Sequence, residues 1–134
     1  MADQTEKKIL VIDDDKFLLD LYSLKFTKAG YAVTTADSTD VALKMLRDGY
    51  APDVVLADIV MPGLDGLDMI ALVRAEKLIA KAAIIMLTNQ GASDDVARAR
   101  KLNVDGYIVK ATTIPSEVLA EVEKISQSKS KKLP

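Results

Sequence analysis

Ile9-Leu10-Val11-Ile12-Asp13-Asp14-Asp15 reads as a strand that runs straight into acid. Apolar residues occupy successive positions, so neither face of this strand is built to meet water. That is the pattern of a strand inside a parallel sheet with both faces covered, not of an alternating half-exposed one. The same format returns further along the chain. Val54-Val55-Leu56 continues through Ala57 into Asp58, Ala83-Ile84-Ile85-Met86-Leu87 runs into Thr88, and Tyr107-Ile108-Val109 runs into Lys110. Ala32-Val33-Thr34-Thr35 is a further strand, ending at Ala36-Asp37, an ordinary loop start.

Between these runs the apolar residues take helical spacing. Leu18, Leu21 and Tyr22 share a face, as do Val41, Met45 and Leu46, then Leu67, Ile70 and Ala71, and finally Val118, Val122 and Ile125. Local punctuation agrees. Ala29-Gly30 suits a helix end, Ser38 or Thr39 a second helix start, Asp65 a third, Ser93-Asp94-Asp95 a fourth, and Pro115 the first turn of the last. Five strands alternating strictly with five helices predict a single α/β domain, a doubly wound parallel sheet joined by right-handed crossovers.

Composition narrows the chemistry. The 134 residues suffice for one core without staples, and 49% hydrophobic with 28% charged residues places the chain with globular proteins rather than disordered ones. There is no cysteine and no histidine, which removes thiol nucleophiles, disulfides, zinc-type ligand sets and the commonest general base. A metal here must take oxygen ligands, which favours magnesium, manganese or calcium. The net charge of −2 offers no broad basic surface for nucleic acid. No apolar run approaches the roughly 18 residues of a membrane span. Met1 to Lys8 is too polar for a secretory signal, so the expectation is a cytoplasmic protein without a membrane partner. Residues 1–6 are expected to be disordered, 7–126 to form the domain, and 127–134 to be a flexible basic tail.

In an open parallel sheet, ligands bind beyond the carboxyl ends of the strands. Taken singly, the residues there are bland. Asp13, Asp14 or Asp15 alone is more often a helix cap, Thr88 a satisfied hydroxyl, and Lys110 a surface lysine lying along its apolar stem. Asp58 is harder to dismiss, because it ends a run that should be buried and an uncompensated carboxylate there is costly. Together they read differently. Adjacent first and third strands crowd at least three carboxylates into one space, which calls for a cation. A hydroxyl and an ammonium opposite supply donors to a phosphoryl group, so the set suits phosphoryl transfer onto a carboxylate.

At these residues the chain resembles the receiver (CheY-like) domain of bacterial two-component response regulators. The matching stretches are Ile9 to Asp14, Asp58 followed by Met61-Pro62-Gly63 and Leu64-Asp65-Gly66, Leu87-Thr88, and Gly106 to Lys110. They span roughly residues 7 to 126. The resemblance implies a flavodoxin-like (βα)5 sheet of order 2-1-3-4-5. It implies Asp58 as phosphoryl acceptor and a Mg2+ site (Mn2+ or Ca2+ substituting) made by Asp14, Asp58, the Val60 carbonyl and, through water, Asp13. Lys110 and Thr88 would bind phosphate oxygens, and Thr88 with Tyr107 would form the switch. Asp15 matches no fixed family position and reads as a cap. The implied donor is a histidine kinase or a histidine phosphotransfer protein. The output would be a protein target meeting the fourth helix, fifth strand and fifth helix, from a stand-alone receiver that is a monomer or a phosphorylation-dependent homodimer. It would be a signalling switch, catalysing only its own modification. The chain departs from the family at Ala111, where proline is usual, and at Asn89, where a small residue is usual. Val60 and Gln90 occupy positions that tune phosphoryl lifetime, and Val60 cannot orient a hydrolytic water.

Two other readings fit parts of the chain. Asp13-x-Asp15 after an apolar strand also begins haloacid-dehalogenase-type phosphatases, but that leaves Asp58 without a role. A receiver-like module that is never phosphorylated would share the fold and the departures. The basic residues Arg98, Arg100 and Lys101 read mainly as a solvated helix face, with partner binding as the alternative.

Overall fold

The computed structural model describes residues 7–88, 93–110 and 113–132. Apart from Lys8, every residue of β1 (Lys8–Ile12) is buried, and β3 (Val54–Asp58) and β4 (Ala83–Thr88) are buried throughout. Their side chains divide with period two. Ile9, Val11, Val54, Leu56, Ile85 and Leu87 face one layer, packed on α1 (Lys16–Lys28) and α5 (Pro115–Lys132). Leu10, Ile12, Val55, Ala57, Ile84 and Met86 face the other, packed against α2 (Thr39–Arg47), α3 (Gly66–Ala75) and α4 (Ser93–Lys101). The continuous apolar runs thus serve two cores at once. With β2 (Ala32–Ala36) and β5 (Gly106–Val109) at the edges, the sheet is wholly parallel in the order β2-β1-β3-β4-β5. The doubly wound α/β expectation and its strand order both hold.

Helix starts follow the side chains read from sequence. Asp15 accepts from the Phe17 and Leu18 amides at 3.0 and 3.2 Å, and Asp65 accepts from Asp68 at 2.7 Å. Between the two candidates for α2, Ser38 is the cap, accepting from Val41. The buried Thr39 hydroxyl instead donates to the Leu64 carbonyl at 2.8 Å.

The helix ends share one device. After α1, Gly30 (φ 98°) donates to the Thr27 carbonyl and Tyr31 to that of Phe26, and the two rings meet edge to face at 5.2 Å. Gly49 plays the same part after α2, but α3 and α4 use Lys77 (φ 57°) and Asn103 (φ 56°).

α5 runs through Lys132, so residues 127–132, expected as part of a flexible basic tail, continue the helix. No glycine or proline interrupts residues 116–132, and Lys129 reaches back to Asp105 at 3.1 Å, so the helix has both propensity and an anchor there. Among the described residues no helix is long and apolar enough to cross a membrane. Asn89, Gln90 and Ala111, singled out in the sequence, lie outside the described residues.

Candidate functional site

Strand order alone brings the singled-out residues together. Ile12 pairs with Ala57, Asp58 with Leu87, and Thr88 with Val109, so the ends of β1, β3, β4 and β5 lie side by side. Carboxylate oxygens of Asp13, Asp14 and Asp58 come within 4.8 Å of one another. Asp13 is fully buried and Asp58 is 3% exposed, while Asp14 stands open to solvent.

Lys110 does not lie on the surface. Its ammonium sits between two carboxylates, 2.7 Å from Asp13 Oδ2 and 3.0 Å from Asp58 Oδ2. Asp13 Oδ1 accepts from the Asp15 amide at 2.9 Å, which orients the carboxylate. Asp58 Oδ1 is buried and, among the described residues, receives no hydrogen bond of good geometry, the backbone amide of Val60 acting on the carboxylate only weakly. A buried acceptor left in this state is costly unless another group completes it.

The titration of the pair is asymmetric. Burial pushes the Asp58 carboxyl above its ordinary value, more than the Lys110 hydrogen bond and charge pull it down. Burial pulls Lys110 down, but its bonds to Asp13 and Asp58 outweigh this and leave it raised. One ammonium therefore holds two buried carboxylates and does not fully compensate Asp58. The third, Asp14, widens the deficit. The donors are all hard oxygens, and two negative charges are left over, which fits a small divalent cation.

The loop after Asp58 points its residues alternately. Ile59 and Met61 are buried, and Val60 between them is 61% exposed. Gly66 opens α3 directly against the Asp58 backbone. A Cβ there would drive into the Asp58 backbone carbonyl, and the Gly66 amide donates to Ile59 at 2.8 Å. Only glycine allows the helix to start this close. Thr88 is buried at the end of β4. Tyr107 is half-buried against the α2–α4 layer, its hydroxyl enclosed and without a partner among the described residues.

Two features escaped the sequence reading. Arg98 is not simply part of a solvated face. Its guanidinium grips Asp65 with two bonds of 3.1 and 3.2 Å and also reaches Asp68 and Asp95. Thr39 meets Leu64 across the fold. Neither contact has a signature in local spacing. Arg100 and Lys101 remain exposed.

The response regulator receiver domain profile matches residues 9–123. Over 120 residues the chain is 33% identical to the chemotaxis protein CheY of Pseudomonas aeruginosa, covering 88% of this chain and 94% of that protein. It is 34% identical over 119 residues to the alkaline phosphatase synthesis transcriptional regulatory protein PhoP of Bacillus subtilis, covering 89% of this chain but 48% of that one. The chain spans about half the length of such transcriptional regulators. The chemotaxis protein CheY4 of Vibrio cholerae superposes with a TM-score of 0.82 at 25% identity, covering 90% of this chain and 99% of that one. A CheY-like receiver from Methanospirillum hungatei gives 0.85 at 24% identity, a likeness of fold, over 96% and 100% of the two chains. Receiver domains are switches of two-component signalling, phosphorylated by histidine kinases or phosphotransfer proteins and binding Mg2+ at an acidic pocket. With a parallel sheet of the same order, three carboxylates gathered at its carboxyl edge and the profile matched along nearly its whole length, the chain belongs to the response regulator receiver domain family.

Proposed function

We propose that Asp58 is the residue phosphorylated in this chain, with a histidine kinase or a histidine phosphotransfer protein as donor. The observation that carries this reading is the buried Asp58 carboxylate with one oxygen on Lys110 and the other without a hydrogen bond of good geometry among the described residues. Asp14, Asp58 and the Val60 carbonyl would hold Mg2+, with Asp13 engaging its waters. Mn2+ or Ca2+ would suit the same oxygen donors. When bound, the ion neutralises charge on the phosphoryl oxygens during transfer.

The chain's own residues account for the rest. The Asp58 carboxylate attacks phosphorus as the bond to the donor imidazole nitrogen breaks, and that electron pair leaves with the imidazole. An acyl phosphate forms on Asp58, and no proton need leave the carboxylate. The Lys110 ammonium follows the charge from the Asp58 carboxylate to the phosphoryl oxygens, and the Thr88 hydroxyl donates to another. Movement of Thr88 opens space toward which Tyr107 turns, changing the surface of α4, β5 and α5 that a downstream protein reads. Val60 presents no hydrogen-bonding group to an attacking water, which supports a long-lived phosphoryl group.

Incubation with acetyl phosphate and Mg2+, followed by peptide mapping, tests the assignment. Stoichiometric label on Asp58, lost in Asp58→Ala, is the expected result. Label on Asp13 with turnover would point to the phosphatase chemistry, and no label to an inert binding module. Decay of the label should quicken in Val60→Asn; an unchanged rate would count against the lifetime reading.

A further inference from the structure

The acceptor loop, Ile59 to Asp65, is held by more than its own chain. From inside, Ile59 donates to the Leu87 carbonyl at 2.9 Å and accepts from Gly66. From outside, two side chains far away in sequence close on its last two residues. Thr39, buried at the start of α2, donates to the Leu64 carbonyl at 2.8 Å. Arg98, on α4, makes a forked pair with the Asp65 carboxylate and shares it with Asp68 and Asp95. Forked arginine–carboxylate pairs inside a network fix geometry better than single surface ion pairs do.

These contacts matter because of what the loop carries. Its first turn bears the exposed Val60, whose carbonyl is the expected metal ligand, directly after Asp58. Its last residue caps α3, which abuts the Asp58 backbone at Gly66. The loop is short, so a shift at Leu64 or Asp65 is passed to Val60 and Asp58. Groups that orient metal ligands without touching the metal change affinity and activity by about 10- to 100-fold when removed.

We propose that Thr39 and Arg98 are positioning residues for the phosphoryl-accepting site, clasping the acceptor loop from α2 and α4 so that Val60 and Asp58 stay in place for the ion and the phosphoryl group. The inference rests on the receiver reading above and extends it to residues that touch neither.

The test compares Thr39→Val, Thr39→Ser, Arg98→Ala and Arg98→Lys with a control, Arg47→Ala. The control breaks an ion pair with Glu76 away from the loop. Mg2+ affinity is read from backbone amide NMR shifts, phosphorylation rate from acetyl phosphate labelling, and stability from urea unfolding. Thr39→Val and Arg98→Ala should each weaken Mg2+ binding and slow labelling by roughly tenfold. Thr39→Ser should restore both. Arg98→Lys should restore them only in part, since an ammonium cannot fork. Arg47→Ala should leave both unchanged whatever its stability. Equal Mg2+ affinity and rate in wild type, Thr39→Val and Arg98→Ala would overturn the clasp, as would equal losses in the Arg47→Ala control. A wild type that takes neither Mg2+ nor label would overturn the receiver reading itself, and with it the catalytic meaning of these contacts.

Discussion

Lys110 joins the two buried carboxylates of the site through a single ammonium. It is the only cation within hydrogen-bond reach of Asp13 and Asp58 among the described residues, and both carboxylates are buried. Replacing it by methionine keeps the length of the side chain but leaves two buried negative charges facing one another. Breaking a buried pair from one side costs about 3 kcal/mol or more. Lys110→Met should therefore lower the urea-derived stability by about that amount in chelator. Mg2+ should recover part of the loss, because the ion supplies the charge that the ammonium gave. A variant as stable as wild type in chelator would show that the carboxylates are not held as described. Val60 illustrates the opposite case at this scale: its side chain is largely exposed, and its proposed roles rest on its backbone carbonyl and on the hydrogen bond its side chain cannot make.

At the scale of elements, helix termini connect stability to the site. Asp65 caps α3 and pairs with Arg98, and the two roles can be separated by pH. Burial alone would raise its carboxyl, but the Arg98 hydrogen bonds and charge and the Asp68 amide together hold it below the ordinary carboxylate range. Because the folded value lies below the unfolded one, the stabilisation is complete above the unfolded value of about 4 and fades as pH falls through the folded value. Asp65→Asn keeps a capping oxygen and loses the charge. Its deficit against wild type should be about 1 kcal/mol or less at neutral pH, since the pair is partly screened by water, and should close in acid. Urea unfolding at several pH values measures this; a deficit constant with pH would exclude the charge as its origin. The turn after α3 offers an opposite case. Lys77 takes a left-handed conformation that costs an L-residue about 1 kcal/mol, whereas glycine adopts it freely. Lys77→Gly should stabilise the protein by about 1 kcal/mol with an unchanged urea slope. A loss of stability would mean that the Lys77 side chain contributes more than its backbone costs.

At the scale of the whole molecule, ion binding and folding are linked. Mg2+ bound to the folded state alone should add about 1.4 kcal/mol at ten times its dissociation constant, raising the melting temperature by several degrees. Asp58→Ala should lose most of that rise, and Arg47→Ala should keep it. An equal rise in Asp58→Ala would place the ion elsewhere. Much of this architecture was legible beforehand. The unbroken apolar runs at Ile9–Ile12, Val54–Ala57 and Ala83–Leu87 can be satisfied only between two layers of helices, and a parallel sheet places all strand ends on one edge. Asp13, Asp14, Asp58 and Lys110 were therefore readable as neighbours, with Asp15 and Asp65 as caps, since cap, turn and strand signals are local. Thr39 on Leu64, Arg98 on Asp65, the poorly satisfied Asp58 oxygen and the extension of α5 to Lys132 were not readable. Periodicity tells which face of an element is buried, but not how far along its neighbour it sits. Hydrogen bonds spanning 25 and 33 residues are set by those offsets, and only the packed layers decide them.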